Sequence, residues 1–371
     1  MAHILVKKGE ADNIATYTHF CDTLADMPDI DPYEINLGST CVVLEGANGG
    51  IELYIANSKK QWKKIKGISP EPTPEPIDEQ AFENAIDSNE QNVSIKLTQP
   101  LNISETLVIS EGKSREIDLN GQDIISNSSL FTVNGGTLIF RGEGNVNVDG
   151  NIATAWNGGK IIIDGGTYDS TANNFGFGAI GAGSYIEFNN GTLATTEAGL
   201  MAFDGGAVTM NGGTINTRDN FAIGTNGTAG RGGNILIMNG GEINAKIKSA
   251  GYEAIGIYLP NDDTFIMNNG TINVVEGSGI VQRGGSCSIK GGTINVTGTP
   301  GNTGWVGDNK TKMSESAIIY HQTANYPAKD TIRLNISGGN FTGVDHSVQI
   351  LTNEAEPKVN ITGGTFNPPL E

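Results

Sequence analysis

Basic residues are scarce in this chain. It carries 23 Lys and Arg against 41 Asp and Glu, a formal charge of −18 and a pI near 4.6, which excludes an electrostatic grip on nucleic acid or on an anionic membrane surface. Charged residues of either sign make up only 17%. Long apolar runs are missing as well: nothing approaches the ~18 consecutive apolar residues of a membrane span, so no membrane insertion is expected. The apolar run Ile4-Leu5-Val6 meets charge at Lys7, without a Sec-type h-region. Cys21, Cys41 and Cys287 are odd in number and lack metal-ligand spacing. No metal or other cofactor is expected, and the expectation is a chain made and folded in a reducing cytoplasm.

Glycine, by contrast, is abundant, with 52 in 371 residues, about twice the usual ~7%. A chain of this kind turns often and buries small, regular packets of apolar side chains. Its composition shifts at Gly67. Residues 1–66 hold seven Lys and nine acids, a net of −2, which leaves −16 for 67–371. The segment 67–76, Gly67-Ile68-Ser69-Pro70-Glu71-Pro72-Thr73-Pro74-Glu75-Pro76, alternates Pro in a way that forbids helix and ladder pairing and favours an extended tether. The chain therefore divides into three regions: a small domain over 1–66, a Pro-rich linker over 67–76, and a long domain over 77–371. The first reads as a turn-rich acidic segment to about Leu37 and then a meander of three short strands, Cys41–Glu45, Ile51–Ile55 and Gln61–Ile65.

The long domain opens on an amphipathic helix with Ala81, Phe82, Ala85 and Ile86 on one face, suited to plugging the end of the repeat that occupies the rest of the chain. Ten turns of the kind Asn211-Gly212-Gly213-Thr214, Asn239-Gly240-Gly241-Glu242 and Lys290-Gly291-Gly292-Thr293 recur at intervals of 21 to 29 residues, with one interval of 47. A period-two strand flanks each turn on either side, many coils carry a second Gly turn such as Asn134-Gly135-Gly136, and a third short strand such as Gly199–Phe203 precedes it. Three strands and three turns per ~25 residues describe one coil of an all-β, parallel β-helix of about ten coils. Equivalent residues of successive coils lie ~4.8 Å apart. Asn216, Asn244, Asn273 and Asn295 are expected to stack outside, with Ile237 among the inward side chains.

On these turns and on the opening Ile117-Asp118-Leu119-Asn120-Gly121, residues 77–371 resemble the right-handed parallel β-helix, or pectate-lyase-like, superfamily, which implies a right-handed parallel β-helix here. Residues 1–66, through Gly38–Leu44, Glu52-Leu53-Tyr54 and Trp62–Ile65, resemble the small attachment modules of bacteriophage virion proteins. Together the resemblances imply a phage head fibre, decoration protein or tail spike, located in the virion and trimeric, bound to capsid or tail proteins through its N-terminal domain and projecting a β-helix toward a host surface polysaccharide. Superfamily enzymes act on acidic polysaccharides through Ca²⁺-binding carboxylates with a basic residue, or through paired carboxylates. The hydrolase patterns Asn-Thr-Asp, Gly-His-Gly and Arg-Ile-Lys are absent from this chain, and no catalytic residue is assigned. A polysaccharide lyase or glycoside hydrolase on the same fold and a bacterial surface adhesin remain the alternatives.

Binding residues are sought in the coil whose repeat swells, because loops added to a rigid scaffold are where recognition concentrates. Its two insertions supply Trp305, Asp308, His321 and Tyr326 as candidate glycan or receptor contacts. Asn261-Asp262-Asp263 stands where other coils place a Gly turn and reads as a turn with caps. Trp156, Tyr168, Phe175, Phe177 and Tyr185 read as core or subunit contacts rather than a ligand platform. In the small domain, Lys59, Lys60, Lys63 and Lys64 around Trp62 are the candidate virion-anchoring group.

Overall fold

The computed structural model describes residues 3–11, 14–23, 25, 40–45, 51–56, 59, 61–68, 77–171, 175–246, 254–300, 314–323 and 325–370. The chain divides into two compact units, Met1–Glu75 and Pro76–Glu371. In the first, Thr40–Glu45, Ile51–Ala56 and Trp62–Ile68 form the expected antiparallel meander. The acidic stretch before it contains two further strands, His3–Ala11 and Ile14–Thr23, which make a hairpin and join Thr40–Glu45 in parallel. This corrects the turn-rich reading. Cys21, Cys41, Val43 and Ala56 are buried together, with Tyr54 and Trp62 packed against them, and the two cysteine Sγ atoms lie 3.6 Å apart. The strand Trp62–Ile68 runs two residues into the expected linker; residues 69–76 lie outside the described residues.

The second unit is a parallel β-solenoid of about 11 turns. It has one turn more than the Gly signature suggests because the first coil bends at Thr98-Gln99-Pro100, where no Gly pair marks it. Three faces are built from successive strands. Ile235–Met238, for example, lies on the first face, Glu242–Lys246 on the second and Ala254–Leu259 on the third. The corner between first and second faces needs glycine for two reasons. Gly241 sits at φ +86°, and a Cβ there would come within 2.5 Å of Met210 Cε and 2.8 Å of Gly212 O of the preceding coil. Outside, Asn244 donates to Asn216 at 3.1 Å, Asn273 to Asn244 at 3.0 Å and Asn295 to Asn273 at 3.3 Å, so the expected ladder is present. A second one, Asn211, Asn239 and Asn268, runs along the corner.

Inside, Tyr168 and Phe177 join Phe131 and Phe140 in a file of edge-to-face rings with centroids 5.4 to 5.8 Å apart. Cys287 is fully buried as expected, and burial pushes its thiol up to about 12. One inward assignment fails. Leu236 and Met238 face the core, and Ile237 lies on the outer side, half-buried.

The helix Glu79–Asp87 is capped by Asp78, whose carboxylate accepts from Ala81 N at 2.8 Å. It buries Phe82 and Ile86 against the solenoid core, with Ala85 half-buried and Ala81 exposed. Beneath it lies the fully buried Arg115, whose guanidinium donates to the carbonyls of Ile86, Ser88, Glu90 and Ser114 at 2.6 to 3.1 Å.

Candidate functional site

The third face differs from the other two. First- and second-face strands alternate buried and exposed residues, whereas Phe175–Ile180, Ala198–Phe203, Gly277–Gln282 and Ser316–His321 are buried at every position. The outer side of these four strands is therefore covered by other parts of the chain. Its outer side carries a second apolar cluster, separate from the solenoid core, that includes Phe175, Ile180, Met201, Phe203, Phe221, Val281 and Ile319, with Tyr258 packed against it. Strand register lines these side chains up along the solenoid: Trp156, Ile180 and Phe203 form one row, and Met201, Gly224, Tyr258, Val281 and Ile319 the next.

Over this floor runs a two-lobed cleft. One lobe, of about 580 Å³, is lined by Trp156, Phe175, Ile180, Phe203, Asn226 and Arg231 among others. The other, of about 460 Å³, is lined by residues including Met201, Phe221, Asn226, Thr228, Tyr258 and Tyr326. Asn226 belongs to both. Ring contacts order the floor, with Phe175 and Phe203 centroids 5.7 Å apart and Phe221 stacked on Tyr258 at 5.2 Å. Trp156 is 41% exposed and stands open to solvent.

Two loops between third and first faces form the cleft wall. The loop 226–234 is held from below: Asn261 Nδ2 donates to Asn226 O and Thr228 O at 3.1 and 2.8 Å. Asp263 in turn accepts from Thr225 Oγ1 at 2.5 Å, Asn234 N at 3.0 Å and Asn234 Nδ2 at 2.8 Å. Burial raises the Asp263 pKa, and these hydrogen bonds oppose the shift. The Asn261-Asp262-Asp263 segment is thus the turn with caps that its sequence suggests, and its capping builds the wall. The loop also carries Arg231, which lies over the Phe203 ring at 5.7 Å and clasps Asp204 through two hydrogen bonds of 2.8 and 2.5 Å. That clasp holds the Asp204 carboxyl below its usual range.

The second loop brings Tyr326 onto the cleft. Its hydroxyl lies 2.9 Å from that of Tyr258, and the buried Arg283 guanidinium bonds both hydroxyls and sits 4.6 Å from the Tyr326 ring centre. Of the four candidate contacts, Tyr326 lines the cleft. Trp305 and Asp308 lie outside the described residues. His321 is fully buried beneath the loop, and neither ring nitrogen has a hydrogen-bond partner among the described residues, so it presents no group to a ligand. In the small domain Lys59 and Lys63 are exposed and Trp62 is half-buried. Lys60 and the Lys64 side chain lie outside what is described.

The buried imidazole has a measurable consequence. Burial first, and the nearby Arg283 charge second, lower the His321 pKa from 6.5 to about 4. A depressed pKa means that the unfolded chain takes up a proton in a range where the folded one does not. The stability that neutral His321 supports is therefore present above pH ~6.5 and lost as pH falls toward ~4. Urea unfolding at pH ~7 and at pH ~5 should differ by about 2 kcal/mol from this group alone. His321→Gln should remove that component; equal pH dependence in both proteins would refute it.

Sequence reasoning passes over Trp156 as a platform and does not single out Tyr258, Arg283, Arg231 or Asn226. The available signal is the loss of alternation in third-face strands such as Gly199-Leu200-Met201-Ala202-Phe203. Among the described residues, no group of three or more His, Cys, Asp or Glu is placed to hold a metal ion, and no helix is long and apolar enough to cross a membrane. Compared with protein-family models, characterised proteins and solved structures, the chain matches none.

Proposed function

We propose that this chain is a structural subunit of a bacteriophage virion, a head-fibre, decoration or tail-spike protein, that attaches through residues 1–66 to capsid or tail. Its solenoid presents the third-face cleft to a host surface polysaccharide and binds it without cleaving it. The cleft carries this reading. Rings aligned along a rigid sheet suit sugar stacking, because the apolar face of a pyranose packs on an aromatic plane while its hydroxyls meet a polar rim. Neither lobe has Asp or Glu among its described lining residues, whereas hydrolysis of a glycosidic bond ordinarily uses two carboxylates. A homotrimer presenting three such clefts gains avidity from simultaneous contacts.

Two measurements test the reading. Trp156→Ala should weaken binding of the full chain to purified host surface polysaccharide by about tenfold, the loss of roughly 1.4 kcal/mol expected of one stacked ring. A chain beginning at Ile77 should retain that binding yet fail to join particles. Release of reducing or unsaturated sugar ends would replace the reading with a depolymerase, and incorporation of the shortened chain at full occupancy would remove the anchoring role of residues 1–66.

A further inference from the structure

Resting on the glycan-binding reading above, we infer that the cleft selects an extended, uncharged glycan and discriminates against acidic ones. Three features of the site lead there.

Its shape comes first. The two lobes share Asn226 and follow the third face from the strand Phe131–Asn134, which contributes Thr132, to the strand Ala254–Leu259. With four strands between them in the sheet order, the length is five interstrand steps, roughly 24 Å. A pyranose unit advances about one such step, so the cleft accommodates roughly five sugars in line with the solenoid. A compact ligand would leave most of it empty.

The lining chemistry comes second. Trp156 stands exposed in the first lobe and the Tyr258–Tyr326 pair closes the second, with Ile180, Met201 and Phe203 between them. This floor suits the C–H face of a hexose or 6-deoxyhexose. The polar groups at the rim, Asn226, Thr228 and Asn325, are amides and a hydroxyl, which match sugar hydroxyls without requiring charge.

Charge decides the matter. Arg231 is the one charged residue among the described lining residues of both lobes. Asp204 already occupies two of its nitrogens and Phe203 one of its faces. Arg283 is 1% exposed and lies behind the tyrosine hydroxyls. A uronate or sialate would surrender hydration to an apolar floor without gaining a counter-charge, and would do so in the field of a domain, 77–371, carrying −14.

The test is calorimetric titration of the full chain with linear neutral hexose and 6-deoxyhexose oligomers, and in parallel with oligogalacturonates and sialylated oligomers, at low and high salt. Neutral oligomers should bind with affinity that rises to about five units and then levels. That binding should be insensitive to salt and fall about tenfold in Trp156→Ala, measured at a temperature where the variant is shown to be folded. Acidic oligomers should bind at least ~10-fold more weakly. Acidic oligomers binding as tightly as neutral ones, through Trp156 and with salt sensitivity, would overturn the selectivity while leaving glycan binding intact. Neutral binding untouched by both Trp156→Ala and Tyr258→Ala would place the ligand elsewhere and also overturn it. Failure of every oligomer to bind would remove the glycan reading itself.

Discussion

Leu236→Asp should be severely destabilising, by about 4 kcal/mol or more, while Ile237→Asp one residue later should cost about 1 kcal/mol or less. Leu236 is fully buried and stacks between Val208 of the preceding coil and Phe265 of the next. A carboxylate there has no partner and no water, and the coils on either side offer only hydrocarbon. Ile237 is half-buried on the outer side, between Thr209 and Ile266, where a carboxylate stays hydrated. Because each coil of a solenoid contacts only its neighbours, the damage is expected to open the middle coils first. Hydrogen exchange alongside denaturant unfolding would detect this. Similar losses for the two variants would mean that the facing of this strand is wrong.

That pair of residues also marks the limit of what the chain discloses about itself. Glycine turns reveal where coils bend, since only a residue without Cβ fits a corner like that of Gly241. Asparagines reveal stacking, because an amide can bridge to its equivalent one coil away. Facing is legible only where polar residues phase the alternation. Ser286-Cys287-Ser288-Ile289 declares Cys287 inward, and it is buried. Ile235-Leu236-Ile237-Met238 has no polar marker, and its phase emerges only from neighbouring coils, where Met238 pairs with Met210 and Met267.

The cleft is hidden in the sequence for a related reason. Its outer cluster interleaves with the inner core in the same strands, so aromatic residues of both kinds look alike in sequence: Phe177 enters the core and Phe175 the outer cluster. Tyr258 and Tyr326 are 68 positions apart and meet only because a loop folds back over the sheet. The first of the two extra N-terminal strands is obscured by its run Lys7-Lys8-Gly9-Glu10, which breaks the alternating pattern.

Arg115→Leu should cost about 3–5 kcal/mol, although leucine is apolar and enters a largely apolar core. Arg115 alternates with Ile117 on the inward side of the strand Ser114–Asp118. There its guanidinium gathers carbonyls from the end of the helix Glu79–Asp87 and the turn after it, with Ile86 O at 2.8 Å and Ser88 O at 2.6 Å. These groups carry the partial negative charge of a helix C-terminus and lack partners within the helix. Leucine would leave them buried and unmatched, and the helix that closes this end of the core would separate from it. Burial lowers the Arg115 pKa, with Asp87 and Glu90 opposing the shift, yet a guanidinium remains charged throughout the working range.

Arg115→Lys retains charge but not the planar fork, so an intermediate loss is expected. Arg141→Ala supplies the contrast. Arg141 pairs with Glu116 at 3.1 Å and Asp164 at 2.7 Å, but its side chain is 46% exposed, and such surface pairs are worth about 0–1 kcal/mol. Urea unfolding of the three variants, with limited proteolysis between the helix and the first coil, would order them. An Arg115→Leu protein as stable as Arg141→Ala, and equally resistant to cleavage there, would show that apolar packing of Phe82 and Ile86 holds the helix in place without the buried cation.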